Sequence, residues 1–250
     1  MNAVIEQAFS EIDPELSRVT RAVVIVHKGR LVAERYAPGF SAQTPLPGWS
    51  MAKSTVNALV GLLVKEGKIG LRSPAPIAQW QRPGDPRRQI TIEQLLRMSS
   101  GLQFDESYRN PLADVIVMLL GSPGAAAFAI AKPLEAEPGA QWRYSSGTTN
   151  VIAYAIRQIV GEAEYLQFPR KALFDRIGMG SAVLETDSTG TFVGSSFMFA
   201  TPRDWARLGM LYGQDTVCGT GNGSCPRVGW HFPGPRPRAR PSASTAPISG

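Results

Sequence analysis

The order of the predicted secondary structure constrains the fold most, because strands come first and a long helical region follows. Residues 22–36 (AVVIVHKGRLVAERY) contain two runs of β-branched residues on either side of a turn at 27–30, a pattern typical of a β-hairpin. Residues 111–170 have helical apolar spacing that Gly and Pro interrupt. Strands and helices therefore occupy separate parts of the chain, which predicts an α+β fold rather than a repeated βαβ unit.

A serine and a lysine three residues apart open the best-defined helix of the N-terminal half. A Pro-rich loop leads to Ser50, and apolar residues then recur at helical spacing as far as Gly67. At this spacing the amine of Lys53 can approach the hydroxyl of Ser50 on one helix face. A serine hydroxyl needs an adjacent base to attack a carbonyl carbon, and a neutral lysine can be that base. The pair predicts Ser50 as nucleophile and Lys53 as its base.

Two other interpretations of this segment remain open. About one S-x-x-K pair is expected by chance in a chain of this length, so Ser50 could be a helix N-cap and Lys53 a solvated residue. Alternatively, Gly48-x-Ser50-x-Ala52 half-resembles the nucleophile elbow of α/β-hydrolases. That motif requires a hydrophobic strand running directly into the turn, whereas a Pro-rich loop precedes Ser50 here.

A second candidate segment, residues 142–147 (WRYSSG), follows a Pro-Gly turn and precedes a predicted helix. Turn and cap chemistry alone could account for its Tyr and Ser residues. A phenol close to a lysine can, however, relay a proton between a nucleophile and a leaving group. We therefore assign this relay to Tyr144, and we predict Ser146 as a hydrogen-bond partner of Lys53 or of the substrate.

The distribution of charge and cysteine argues against several classes of site. The formal net charge is +6, but residues 216–250 hold four arginines and no acid, which leaves +2 for the rest. This balance gives nucleic-acid binding little support, with the arginine-rich tail as its one candidate site. Cys218, Cys225 and His231 also lie in that segment, and the chain has no other cysteine and one other histidine. We expect no Cys-His pair, no metal and no cofactor in the folded body.

The sequence does not decide the compartment, and hydropathy is the only guide to it. Residues 1–11 carry no apolar run behind a basic stretch, and no 18-residue apolar segment occurs in the sequence. We therefore expect a cytoplasmic protein by default, without a membrane partner. The sequence does not indicate an oligomeric state.

Four segments in order resemble the serine β-lactamase-like family of class C β-lactamases, penicillin-binding proteins, related esterases and 6-aminohexanoate-dimer hydrolase. They are GWSMAKS, LLRMSSGL, the stretch ending in YSSGTTN, and GSSFMFATPRDWARLGMLY, within about residues 22–215. The resemblance implies a hydrolase domain over residues 1–215 with the β-lactamase/penicillin-binding-protein-like fold, an antiparallel sheet plus a helical region.

The same resemblance implies an acyl-enzyme mechanism on a small ester, amide or β-lactam substrate. In it, Ser50 is the nucleophile, Lys53 its base and Tyr144 the tyrosine of the Y-x-N/S element. Ser146 stands where class C β-lactamases have asparagine, and this difference favours the esterase and amide-hydrolase branches. The alternative is a catalytically inactive binding protein that keeps the hydrolase shell.

Residues 216–250 depart from the family. Their six prolines, six glycines and four arginines without periodicity predict an irregular, disordered tail. The family's late strand, which carries a third motif and the second oxyanion-hole N–H, is not recognisable after Tyr212, nor is its C-terminal helix. One G/C-rich back-translation of residues 217–230, read from its third base, encodes the family-like string VWNGERILPEGWV. We hypothesise a frameshift near Asp215 and expect an incomplete domain of weak activity and stability.

Overall fold

The computed structural model describes residues 2–10 and 19–213 of the 250-residue chain. The prediction for residues 216–250 lies outside these described residues. The helices are α1 (Asn2–Phe9), α2 (Ala52–Lys65), α3 (Ile92–Leu96), α4 (Asp114–Ile116), α5 (Ala125–Ile130), α6 (Ser146–Val160), α7 (Glu162–Tyr165) and α8 (Pro202–Gly213). The strands are β1 (Ala22–His27), β2 (Arg30–Tyr36), β3 (Leu46–Pro47), β4 (Val183–Leu184) and β5 (Met198–Ala200).

Strands β1 and β2 form the predicted hairpin, which confirms the interpretation of residues 22–36. They pair in antiparallel register with His27 opposite Arg30. Lys28 and Gly29 have φ angles of 48° and 76°, as the two-residue turn that matches strand twist requires. Helix α8 packs against β1, yet no residue of either strand is buried. The hairpin therefore lies at the edge of the described structure.

A second antiparallel sheet has the strand order β3-β5-β4, with β5 in the centre. Leu46 of β3 pairs with Ala200 of β5, and Val183 of β4 pairs with Phe199. Strand β3 runs directly into the segment that carries Ser50. This sheet therefore sets the position from which the candidate nucleophile enters α2.

The main core lies between helices, because α2, α3 and α5 all pack against α6. Helix α2 buries one face of its amphipathic sequence, including Val56, Leu59 and Leu63, each at most 1% exposed. The Trp80 ring is fully buried in the same core, where its indole N–H donates to the carbonyl of Ile130 at 3.0 Å. Burial of these faces fixes the axes of α2 and α6, the two helices that carry the candidate site.

Both sheets of the described residues are antiparallel and pack with helices, which confirms the α+β prediction, although β4 and β5 follow the helical region. The T-x-x-Q sequence at residues 91–94 is a signature of a helix start, and in the structure Thr91 and Gln94 form a reciprocal capping box at the start of α3. One boundary differs from the prediction. Ser50 lies in the 3-10 helix Trp49–Met51, and the α-helix begins at Ala52. A tight first turn of this kind is common at helix N-termini.

Candidate active site

The backbone that presents Ser50 is fixed by packing on both sides of Gly48. The Gly48 N–H donates to the carbonyl of Met198 at 2.8 Å, which continues the pairing of β3 with β5. On the other side, a Cβ at Gly48 would lie 2.2 Å from the Trp205 ring, so this position has no room for a side chain. Trp49 then adopts a left-handed φ of 43°, and Ser50 follows as an exposed residue at the mouth of a cleft.

The ammonium nitrogen of Lys53 lies at the centre of the site. It is 3.1 Å from Ser50 Oγ, 3.1 Å from Ser146 Oγ and 2.9 Å from the carbonyl oxygen of Ser195. Lys53 is half-buried in the first turn of α2, so these three oxygens replace water around its amine. The structure thus brings Ser50, Lys53 and Ser146 together as one hydrogen-bonded group.

Sequence reasoning missed the carbonyl of Ser195, which holds Lys53 from the third side. The preceding Gly194 packs so closely on α2 that a Cβ there would lie 2.6 Å from Val56. The Ser195 N–H donates to Asn150 Oδ1 at 3.1 Å, which fixes the direction of the peptide. A backbone acceptor has no side-chain signature, and the small residues Gly194 and Ser195 were the only hint of a close approach.

Ser146 is fully buried at the N-terminus of α6. The preceding Ser145 caps this helix, since its hydroxyl accepts from the Thr148 N–H at 3.0 Å. Tyr144 stands just outside the helix, half-buried, with the centroid of its ring 5.0 Å from Lys53 Nζ. Within the described residues its hydroxyl makes no hydrogen bond to Ser50 or Lys53, so the ring face is what contacts the lysine.

Glu106 is a second residue that sequence reasoning missed. Its Oε2 accepts the Ser146 backbone N–H at 2.7 Å, and its Oε1 accepts the Ser146 hydroxyl at 2.5 Å. The hydroxyl of Tyr108 donates to the same Oε1 at 3.0 Å. Nothing in the residues around position 106 forms a motif, because its partner lies 40 residues away in the chain.

An open cleft of about 430 Å³ lies beside the candidate nucleophile. Its wall includes Ser50, Lys53, Tyr144 and Tyr212, together with the apolar side chains of Leu96 and Ile152. This volume suits a small molecule, and the mixed apolar and polar lining is typical of a substrate pocket. Within residues 2–10 and 19–213, no group of three or more His, Cys, Asp or Glu side chains is placed to hold a metal ion.

Comparison with known protein families gives a match over most of the chain. The family model described as beta-lactamase matches residues 5–222. The chain belongs to this family. The resemblance in the four sequence segments is therefore confirmed.

Relatives of this β-lactamase-family chain include proteins named as hydrolases. A 6-aminohexanoate-dimer hydrolase from Paenarthrobacter ureafaciens is 24% identical over 203 residues, which is 77% of this chain and 51% of the relative. A solved structure from Bacillus anthracis, named after the same hydrolase, is 26% identical with a TM-score of 0.63 and covers 82% of this chain and 56% of the other. The chain spans about half the length of the curated relative that it matches.

More distant structures show the fold alone. The octameric penicillin-binding protein homologue of Pyrococcus abyssi is 18% identical, with a TM-score of 0.66 over 87% of this chain and 58% of that one. A D-amino acid amidase from Ochrobactrum anthropi SV3 is 17% identical, with a TM-score of 0.64 over 88% and 73% of the two chains. The predicted β-lactamase/penicillin-binding-protein-like fold is confirmed by these neighbours.

Two of the three sequence elements expected of a β-lactamase-family site meet in this cleft. The S-x-x-K pair comes from the start of α2, and the Y-x-S element comes from the start of α6. The third element, which the resemblance implies on a late strand, is not recognisable in the sequence after Tyr212, and the described residues end at Gly213. Among the helices of the described residues, none is long and apolar enough to cross a membrane.

Proposed function

We propose that this chain is a serine hydrolase that cleaves small esters or linear amides through an acyl-enzyme on Ser50. The observation that carries the proposal is the 3.1 Å contact between Lys53 Nζ and Ser50 Oγ, within the reach that a general base requires. Names of relatives support the substrate class, since they include a 6-aminohexanoate-dimer hydrolase and a D-amino acid amidase. Serine in the Y-x-S element, at Ser146, favours these branches over true β-lactamases.

In the proposed reaction, Ser50 Oγ bonds to the carbonyl carbon of the substrate while its proton passes to neutral Lys53. The ammonium that forms is stabilised by the Ser195 carbonyl at 2.9 Å and by the face of the Tyr144 ring. Lys53 returns the proton to the alcohol or amine that leaves. Relay through the Tyr144 phenol requires its hydroxyl, which does not hydrogen-bond to Ser50 or Lys53 here, to come within hydrogen-bond reach once substrate is bound. Water then attacks the acyl carbon while Lys53 accepts its proton. The bond to Ser50 Oγ breaks, the serine regains the proton from Lys53, and the acid is released.

We also propose that turnover is slow. The sequence after Tyr212 contains no recognisable third motif, and an oxyanion hole without one donor loses about 100- to 1000-fold in rate. Among the described residues, none of the hairpin β1–β2 is buried, which supports the proposal of an incomplete domain. Hydrolysis at the rate of a complete family enzyme would contradict this part of the proposal.

The test uses p-nitrophenyl acetate, nitrocefin and an amino-acid p-nitroanilide as substrates, with a fluorophosphonate probe to label the nucleophile. We expect labelling of the wild-type chain, and hydrolysis of the ester and anilide in preference to nitrocefin. Ser50→Ala removes the attacking oxygen and should lower the rate at least about 1000-fold. Ser41→Ala, at an exposed position that does not line the cleft, serves as the control and should keep both signals.

Absence of labelling in the folded wild-type chain would contradict the proposal and would indicate a non-catalytic member of the family. Equal labelling of Ser50→Ala would show instead that another residue is the nucleophile. Circular dichroism of each variant separates either result from misfolding.

A further inference from the structure

The carboxylate of Glu106 is held against the N-terminus of α6 by packing of its own loop. Two residues earlier, the buried Phe104 packs against Gly147, where a Cβ would come within 2.5 Å of the ring. This contact brings residue 106 within reach of the first backbone N–H of the helix, a favourable site for an anion. Glu106 therefore reaches Ser146 because a buried aromatic ring fixes its approach.

We infer that Glu106 is a positioning residue that fixes the direction of the Ser146–Lys53 hydrogen bond, so that the lone pair of neutral Lys53 faces Ser50. This inference rests on the proposed acyl-transfer function. It assigns a role to an acid that does not contact Ser50 and that lies outside both sequence motifs of the site.

The hydrogen-bond donors and acceptors around Glu106 leave one direction for the Ser146 hydroxyl proton. A carboxylate only accepts, so both hydroxyls within reach of Glu106 must donate to it. Ser146 thus directs its one hydroxyl proton to Oε1 at 2.5 Å. The Tyr108 hydroxyl does the same at 3.0 Å, and burial together with the nearby Glu106 charge raises the pKa of Tyr108, which keeps the phenol protonated. With its proton committed, Ser146 Oγ has only lone pairs left for Lys53.

The three oxygen atoms around Lys53 Nζ determine the orientation of its amine in the same way. As an ammonium it donates three hydrogen bonds, to Ser50, Ser146 and the Ser195 carbonyl. A neutral amine keeps two protons and one lone pair. The Ser195 carbonyl can only accept, and Glu106 makes Ser146 an acceptor as well, so both protons have fixed destinations. The lone pair must then point at Ser50, which is the arrangement that general-base catalysis needs.

An amide at position 106 would remove this constraint without changing the shape of the side chain. The NH₂ group of Gln can donate to Ser146 Oγ, which frees the serine proton to point at Lys53. The lone pair of the neutral amine would then be shared between Ser146 and Ser50. Misdirection of a base costs orders of magnitude in rate in other hydrolases.

The test compares Glu106→Gln with wild type in the acylation step, measured as kcat/KM for p-nitrophenyl acetate on the full chain. We expect a loss of about 10- to 100-fold, the size typical of a misaligned catalytic group, with KM changed less than kcat. Glu137→Gln, which removes the same charge at an exposed position in a neighbouring loop, is the matched control and should leave kcat/KM within about twofold.

A double-mutant cycle with Ser146→Ala separates positioning from general structural damage. If Glu106 acts through the Ser146 hydroxyl, Glu106→Gln should change the rate of the Ser146→Ala variant less than about twofold. Additive losses would overturn the inference, as would a Glu106→Gln enzyme with wild-type kcat/KM. Should Glu106→Gln fail to fold, Ser146→Ala alone tests whether the Ser146 hydroxyl orients Lys53. A loss in kcat/KM below about threefold would then overturn the inference.

These outcomes are distinct from failure of the proposed function. A wild-type chain that is not acylated, or a Ser50→Ala variant that is acylated equally, would overturn the acyl-transfer proposal and the role of Glu106 with it. A wild-type chain acylated at Ser50, together with an unaffected Glu106→Gln variant, would overturn the role of Glu106 alone.

Discussion

At the scale of single residues, the hydroxyl of Ser146 connects the candidate site to its support. Ser146 is fully buried, and a buried hydroxyl must find its partners inside the protein. It contacts Lys53 Nζ on one side and Glu106 Oε1 on the other. A change beside Ser146 should therefore affect both stability and the geometry of the lysine.

Gly147→Ala tests this sensitivity. The added Cβ would lie 2.5 Å from the ring of Phe104, which is 3% exposed and cannot move into solvent. We expect the free energy of unfolding to fall by about 1 to 3 kcal/mol, the usual cost of overpacking a core, as measured by urea denaturation. Ester hydrolysis should fall with it, because Phe104 and Ser146 are displaced together.

Gly209→Ala in α8 is the matched control for that variant. No atom lies within 4 Å of a Cβ at this exposed helical position, so replacing Gly by Ala should stabilise the protein by about 0.5 to 1 kcal/mol. Equal stability changes of the same sign in both variants would show that helix propensity, not the contact with Phe104, decides the effect at Gly147.

At the scale of elements, an ion pair joins the hairpin to α8. Arg203 of α8 donates through Nε to Glu34 Oε2 of β2 at 2.8 Å and through Nη2 to Glu34 Oε1. The Tyr36 hydroxyl also donates to Glu34 Oε2, at 2.7 Å. Arg203 holds the pKa of Glu34 below its ordinary value of 4.5, and burial with the nearby carboxylate raises the pKa of Tyr36 to about 12.

Glu34→Gln should lower stability in a pH-dependent way. Because the pKa of Glu34 is lowered in the folded state, its contribution is present above about pH 4.5 and is lost as the pH falls through the folded pKa. We expect a loss of about 1 to 2 kcal/mol in the free energy of unfolding at pH 7, and this difference should shrink as acid protonates Glu34 in the folded state. Urea denaturation at several pH values measures this difference.

Glu93→Gln is the comparison for Glu34→Gln, since Glu93 forms an i,i+4 pair with an Arg97 side chain that is 74% exposed. An exposed pair of this type contributes about 0.3 to 0.5 kcal/mol. A Glu34→Gln effect no larger than this, or one that persists unchanged in acid, would contradict the role assigned to the Glu34–Arg203 pair.

At the scale of the whole molecule, burial is unevenly distributed. Helices α2 and α6 contain many buried residues, whereas β1 and β2 contain none. Regions with few buried apolar contacts open with lower free energy than the core. In the described structure, the helical core carries the site on its surface beside the sheet β3-β5-β4. The hairpin lies at the edge and is less buried than the core.

Amide hydrogen exchange should reveal this hierarchy directly. We expect amides of α2 and α6 to exchange only through global unfolding, and the cross-strand amides of β1 and β2 to exchange faster by at least about tenfold, through local opening. Loss of the Glu34–Arg203 pair should accelerate the hairpin further without changing α6. Equal protection of hairpin and helices would contradict this picture and would indicate that another part of the chain covers the hairpin.

Features that depend only on neighbouring residues in the chain could be predicted from the sequence. Left-handed turn residues at 28 and 29 specify the hairpin, Thr91 and Gln94 specify the cap of α3, and the spacing of Ser50 and Lys53 places the two on one helical turn. Each of these is set by local backbone geometry and side-chain chemistry within a few residues, so pattern reasoning reached them.

Tertiary structure alone decided what surrounds Lys53. The Ser195 carbonyl lies 142 residues from Lys53 in the chain, and Glu106 lies 40 residues from Ser146. The first is a backbone group, which every residue possesses, and the second is an acid without a motif. Their positions follow from glycines packed against Val56 and Phe104, because close approach of distant segments depends on how the whole core fills space and not on local pattern.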